Sequence, residues 1–174
     1  MAKGSVYIYS GDGKGKSSAA IGRAVQAATE GKSVMIIQFL KEKGLGDSEF
    51  LKRLEPEIKL FRFEKSGKNF ELLPEEKKRE EICNIRNGIN FARKVLATGE
   101  CDLLILDEVL GLIEKKIVDS GELKGILESR ADTGVILTGI YLPEDICALA
   151  EEVYRIQTVY THCQKHLPNL MYNE

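Results

Sequence analysis

The sequence contains no tryptophan, only four prolines and only four cysteines among its 174 residues. The cysteines are widely spaced and form no C-x-x-C pair, which favours reduced thiols over a disulfide framework or a zinc ribbon. No apolar run approaches the roughly 20 residues that span a bilayer, and residues 1–4 are too short and too polar for a signal peptide. We therefore expect a cytoplasmic protein that does not interact with membranes.

Neither sign of charge dominates the chain. It has 25 Lys and Arg against 27 Asp and Glu, for a formal net charge of −2, and the two signs are interspersed. Without a basic field, nucleic acid is not an expected partner, and small anions are favoured instead. The length suits one domain that buries its own core, so we predict a single domain over residues 1–174. Within it, residues 161–174 form a poorly defined polar tail.

A glycine-rich and lysine-rich stretch, S-G-D-G-K-G-K-S-S at residues 10–18, is the most specific motif. It fits G-x-x-x-x-G-K-[ST] at Gly15, Lys16 and Ser17, with a serine in place of the first glycine. In such loops the inward backbone N–H groups and the lysine bind phosphate oxygens, while the hydroxyl ligates Mg²⁺. A short β-rich run precedes the stretch and a helical pattern follows it, as the motif requires. The predicted nucleotide-binding residues are Gly11, Asp12, Gly13, Lys14, Gly15, Lys16, Ser17 and Ser18.

Strand-like and helix-like stretches alternate along the whole chain. This pattern predicts a single-domain α/β fold of three layers, P-loop NTPase-like, with a mostly parallel, RecA-like sheet. Nearly continuous apolar runs mark the central strands, which are covered on both faces. The predicted strands are residues 6–10, 34–40, 58–63, 102–108, 134–138 and 153–160. The predicted helices are residues 17–30, 48–54, 74–97, a short one near 112, 120–128 and 143–150.

Two acidic residues, Asp107 and Glu108, end the most apolar strand pattern of the chain. Ligands of open α/β sheets bind at the carboxyl ends of the strands. A carboxylate there can hold Mg²⁺, directly or through water, opposite the hydroxyl of Ser17. The predicted metal-binding residues are therefore Ser17, Asp107 and Glu108. In many ATPases the second acidic residue activates water, so the division of roles between Asp107 and Glu108 stays open.

With these features combined, the chain resembles the P-loop-type ATP:corrinoid adenosyltransferases of cobalamin biosynthesis. The resemblance covers most of residues 5–155. It rests on four blocks: G-D-G-K-G-K-S-S-A-A at 11–20, Q-F-L-K at 38–41, D-L-L-I-L-D-E at 102–108 and V-I-L-T-G at 135–139.

The resemblance implies a transfer to carbon rather than to phosphorus. In that family a reduced Co(I) corrinoid attacks the 5′ carbon of ATP and releases inorganic triphosphate. ATP and the reduced corrinoid would be the substrates and Mg²⁺ the cofactor, and Lys16 and Glu108 would be the catalytic residues. The resemblance further implies a homodimer and an electron-donating flavoprotein as partner.

The same resemblance implies a corrin-facing loop after the third strand. The family carries a Phe and a Trp there, separated by one residue, and the nearest match is Phe61 and Phe63. Two aromatic residues at this spacing on a strand can equally face the core. After the T-G of the fourth block the family usually has an Arg, where this chain has Ile140.

Two other functions remain open on the sequence. One is a P-loop ATPase or phosphotransferase in which Glu108 activates water or an acceptor hydroxyl. The other is a noncatalytic nucleotide-binding module that switches a partner. His162, Cys163 and His166 of the tail indicate an exposed polar segment rather than a metal site, because no second ligand pair occurs elsewhere.

Overall fold

The computed structural model of the chain describes residues 3–40, 53–66 and 69–160. The predicted tail with its histidines, and most of the helix predicted from Ser48, lie outside the described residues. The strands are β1 (Val6–Ser10), β2 (Val34–Gln38), β3 (Ile58–Arg62), β4 (Leu103–Asp107), β5 (Gly134–Gly139) and β6 (Glu152–Arg155). The helices are α1 (Lys16–Thr29), α2 (Glu75–Thr98), α3 (Val109–Glu114), α4 (Ser120–Glu128) and α5 (Glu144–Cys147), with a 3-10 turn at Phe70–Leu72.

All six strands are parallel and form one sheet in the order β3-β2-β4-β5-β1-β6. The predicted α/β fold is confirmed. In this order β5 lies between β1 and β4, so the loop after β1 and the acidic end of β4 are separated by one strand. Parallel strands place their carboxyl ends at the same edge. The ends of β1, β2, β4 and β5 therefore meet there.

The core has two parts, one on each face of the sheet. On one face the small residues of α1 pack on strand residues such as Ile36 and Ile105. On the other face α2 and α4 cover residues such as Ile37 and Leu104, which are fully buried. Successive strand residues point to opposite faces, which explains why the central strands are apolar throughout. Within the described residues, no helix is long and apolar enough to cross a membrane.

Three predicted elements extend two or more residues too far at the carboxyl side. The second strand stops at Gln38, and Leu40 has a left-handed conformation with φ 51°, which a continuing strand does not adopt. The last helix spans only Glu144–Cys147 and continues as a turn. The last strand ends at Arg155; Ile156 then donates its N–H to Ser10, the last residue of β1, and its carbonyl accepts from Gly13 in the following loop.

Gly88 of α2 lets the helix approach the aromatic residues that follow β2 and β3. A Cβ at this position would lie 2.6 Å from Cγ of Phe63 and 2.8 Å from Cε1 of Phe39. The Phe39 side chain is fully buried, so its ring has little room to move. The glycine is therefore a packing requirement.

We expect Gly88→Ala to lower the free energy of unfolding by about 1–3 kcal/mol, because overpacking a filled core forces side chains off their rotamers. Gly125→Ala in α4 is the matched control, since nothing lies within 4 Å of its added methyl group. That control should gain about 0.5–1 kcal/mol from helix propensity. Urea unfolding measures both changes, and equal stability of the two variants would contradict the packing argument.

Candidate functional site

The loop between β1 and α1 has the backbone of a phosphate-binding site. Gly11 and Gly15 have φ of 115° and 117°, values that favour glycine. Gly15 is the N-cap of α1 and no side chain caps that helix end among the described residues, so its first N–H groups face the loop. Lys16 is 8% exposed, and its Nζ donates to the carbonyl of Gly13 at 3.1 Å. Its ammonium therefore lies against the loop.

The other predicted loop residues differ in accessibility. Lys16, Gly11 and Gly13 are buried and Ser17 is half-buried, whereas four residues of the loop are exposed. A ligand from solvent can reach the side chains and the backbone of these four exposed residues. They are Asp12, Lys14, Gly15 and Ser18.

The chain after β6 braces this loop from behind. Ile156 donates its N–H to the carbonyl of Ser10 at 2.7 Å and accepts from the N–H of Gly13 at 3.0 Å. A Cβ on Gly13 would lie 2.7 Å from Cα of Gln157, and one on Gly11 would collide with the carbonyl oxygen of Ile156. The glycines thus serve close backbone contact as well as turn geometry. Sequence reasoning missed this brace because main-chain atoms make it.

The acidic end of β4 meets the loop directly. Asp107 is 2% exposed, and its Oδ1 accepts from Ser17 Oγ at 2.7 Å and from Thr138 Oγ1 at 2.7 Å. Its Oδ2 accepts from Gln38 Nε2 at 3.0 Å. Gln38 and Thr138 are on β2 and β5, the two neighbours of β4. Of these contacts, the sequence predicted only that Asp107 faces Ser17.

Glu108 follows in a left-handed conformation with φ 62°. Its N–H donates to Thr138 Oγ1 at 2.8 Å, so one hydroxyl holds the backbone of Glu108 and the carboxylate of Asp107. A left-handed non-glycine residue at a strand end is strained. This turn separates the two carboxylates: Asp107 is on the Ser17 side, and half-buried Glu108 lines a cleft next to Gly111.

The oxygen atoms of Ser17 and Asp107 suit a hard cation. Mg²⁺ prefers oxygen ligands and typically takes one or two carboxylates together with substrate phosphates and water. No cluster of three or more His, Cys, Asp or Glu occurs in the described part of the chain. A cation held here would therefore depend on phosphate and water ligands.

The cleft beside Glu108 has a volume of about 210 Å³. Phe70 and Ile140 form apolar walls, and Lys115 lies 5.9 Å from the Phe70 ring centre and pairs with Glu71. Ile140 is 57% exposed. The sequence did not indicate this cleft, because its walls come from four separate segments. Its lining is Leu40, Asn69, Phe70, Glu108, Gly111, Glu114, Lys115 and Ile140.

Phe61 and Phe63 lie elsewhere, against α2. Their rings lie 4.8 Å and 5.9 Å from that of Phe91, and both are half-buried at the margin of the core. Neither is among the described residues that line the cleft. Packing accounts for both rings, and a contact of either with a corrin stays a prediction.

Comparisons with known proteins give a consistent family. The family model described as ATP:corrinoid adenosyltransferase BtuR/CobO/CobP matches residues 2–169. A corrinoid adenosyltransferase of Escherichia coli K12 is 28% identical over 158 residues, which are 90% of this chain and 78% of that protein. The corrinoid adenosyltransferase CobA of Salmonella typhimurium has the same identity and coverage. One from Pseudomonas aeruginosa is 27% identical over 79% of this chain and 66% of its own length.

A solved structure of a DNA replication initiation factor matches with a TM-score of 0.43 and 15% identity. The match covers 90% of this chain and 41% of that one. A likeness this low says nothing about what the present chain binds.

We expect Gly13→Ala to abolish binding of MgATP, because the methyl group meets main-chain atoms of Gln157 and must push the loop out of place. Gly22→Ala in α1 is the matched control, with nothing within 4 Å of its methyl group, and should bind MgATP as the unmodified chain does. Isothermal titration calorimetry measures both affinities. Unchanged affinity of Gly13→Ala would show that the brace does not shape the site.

Proposed function

The chain belongs to the family of ATP:corrinoid adenosyltransferases, and from this we propose that it transfers the 5′-deoxyadenosyl group of ATP to Co(I) of a corrinoid and releases triphosphate. The observation that carries the proposal is the hydrogen bond from Ser17 to Asp107 at 2.7 Å. It joins the phosphate-binding loop to the acidic strand end on the surface where a nucleotide would bind.

The polyphosphate of ATP would lie on residues 11–18. The first N–H groups of α1 carry partial positive charge, which suits an anion. Lys16 would turn from the Gly13 carbonyl to phosphate oxygens, and exposed Lys14 would add a second cation at the entrance. Ser17 and Asp107 would hold Mg²⁺ together with phosphate oxygens, and Glu108 would contribute from the cleft side. When bound, the cation would neutralise part of the negative charge of the phosphates.

The proposed step forms a cobalt–carbon bond and breaks the bond between C5′ and the triphosphate oxygen. Co(I) supplies the electron pair of the new bond, and triphosphate leaves with the pair of the broken one. Negative charge therefore grows on the leaving oxygen, where Lys16 and the loop N–H groups can stabilise it. The rigid loop would also fix the position of C5′ relative to the attacking atom.

The second substrate would approach from the cleft beside Glu108. This cleft adjoins the acidic strand end and has apolar walls at Phe70 and Ile140. A corrinoid is far larger than the cleft, so only an edge of it would enter. Leu72, which is exposed and follows Phe70 by two residues, would face the remainder. Phe61 and Phe63 stay the alternative corrin surface, although their rings lie against Phe91.

Glu108 supports a second candidate function, a P-loop ATPase or phosphotransferase. Its carboxylate lines a cleft open to water, where it could activate a water or an acceptor hydroxyl. A noncatalytic nucleotide-binding module is the third possibility.

We also propose that the protein is a cytoplasmic homodimer and that an electron-donating flavoprotein is its partner. These proposals rest on the resemblance to the family.

A product assay tests these functions. With MgATP and cob(I)alamin generated by a chemical reductant, we expect triphosphate and a light-sensitive alkylcobalt spectrum. Lys16→Ala should reduce the rate at least about 100-fold, as expected on removing a donor that stabilises developing charge. Lys94→Ala, an exposed change on α2, should leave the rate unchanged. Formation of ADP or phosphate instead would favour the hydrolytic function, and ATP binding without any product would favour the module.

Substitution of the cleft tests where the corrinoid binds. Ile140→Asp places a charge on an exposed apolar wall, and we expect the KM for the corrinoid to rise about tenfold or more while ATP affinity is kept. Val25→Asp, at a similarly exposed position on α1, is the control and should change neither value. If Phe61→Leu raised this KM and Ile140→Asp did not, the corrin surface would lie at the aromatic pair instead.

A further inference from the structure

Gln38 is a buried polar residue at the end of an otherwise apolar strand. Its side chain is 1% exposed, and its Nε2 donates to Asp107 Oδ2 at 3.0 Å. Its Oε1 is equally buried and accepts no hydrogen bond from any described residue. Buried acceptors without a donor are costly and uncommon in native proteins. The other four residues of β2 are all buried and apolar, so packing gives no reason for an amide here.

The orientation of the amide is fixed by its neighbour. If the amide were turned over, Oε1 would face Asp107 Oδ2, and two acceptors would repel each other. The donor nitrogen must therefore point at the carboxylate, which leaves Oε1 as the second, unsatisfied polar atom of the amide that contacts Asp107. The unsatisfied oxygen is thus part of the Asp107 cluster.

Three hydrogen bonds place Gln38, Ser17 and Thr138 around the carboxylate of Asp107. Oδ1 accepts from Ser17 and Thr138, and Oδ2 accepts from Gln38. These donors are all neutral, and they fix the plane of the carboxylate. Gln38 Oε1 adds an acceptor on the β2 side of the cluster. A bound water can donate to such an oxygen, and Mg²⁺ commonly keeps several of its waters.

We propose that Gln38 is a positioning residue for the hydrated cation that accompanies the nucleotide: Nε2 orients Asp107, and Oε1 accepts a hydrogen bond from a cation-bound water. The inference rests on the proposed function, because it assumes that MgATP binds at this site. It assigns a role to an atom that the fold leaves unsatisfied. Outer-shell residues of this kind hold ligating groups and waters in the geometry that the metal needs.

Nucleotide binding measured with and without the cation tests the proposal. Gln38→Met removes both polar atoms at similar length. We expect the Mg²⁺ concentration for half-maximal ATP binding to rise about 10- to 100-fold, the usual effect of removing an outer-shell partner. ATP affinity in EDTA should stay the same. The thermal midpoint without nucleotide should change little, because loss of the hydrogen bond to Asp107 lowers stability while removal of a buried unsatisfied oxygen raises it.

Gln26→Met on the exposed side of α1 is the matched control and should change none of these values. An unchanged Mg²⁺ requirement for Gln38→Met would overturn the proposal, as would an equal loss of ATP affinity in EDTA, which a merely structural role produces. If Gln38→Met does not fold, Gln38→Asn serves, since it keeps an amide but withdraws it by one methylene. If the unmodified chain binds no ATP at all, the proposed function fails instead.

Discussion

The site depends on the hydrogen bonds that the carboxylate of Asp107 accepts. Asp107 accepts hydrogen bonds from Gln38 on β2, Thr138 on β5 and Ser17 on α1, and it ends β4 itself. Hydrogen bonds to a charged group contribute about 1.5–3 kcal/mol each in favourable settings. One buried side chain therefore links three adjacent strands to the helix that follows the phosphate-binding loop. The strand order makes this possible, because it places Gln38 of β2 on one side of Asp107 and Thr138 of β5 on the other.

Positive φ angles occur at or just after the ends of the three strands that Asp107 joins. Leu40 and Glu108, which follow β2 and β4, have positive φ, and so does Gly139 at the end of β5. A Cβ at Gly139 would lie 2.5 Å from that of Leu110, so only glycine fits there. Three neighbouring strands thus turn away sharply at one edge. The turns open the edge to ligands and bring Glu108 and Leu40 to the cleft.

Features encoded by neighbouring residues could be predicted from the sequence. The loop at residues 10–18, the strands and the long helix α2 are of this kind, because glycine spacing and hydrophobic periodicity are local signals. The contacts of Gln38 and Thr138 with Asp107 could not be predicted, since they depend on strand order. The cleft beside Glu108 was missed for the same reason. The Phe61 and Phe63 spacing fits a strand on a core as well as a ligand surface, and the packing on Phe91 supplies the first explanation.

The hydrogen bonds behind the loop at residues 10–18, and the close contacts at Gly11 and Gly13, involve main-chain atoms of Ile156 and Gln157. The side chain of Gln157 is therefore of little consequence for the contact, whereas that of Ile156 also packs against the core on the α1 side of the sheet. Substitution of Gln157 would then leave the path of the loop unchanged. Substitution of side chains alone would therefore not detect the main-chain part of this contact. Deletion of one residue before Ile156 would shift the main chain and displace the loop at residues 10–18.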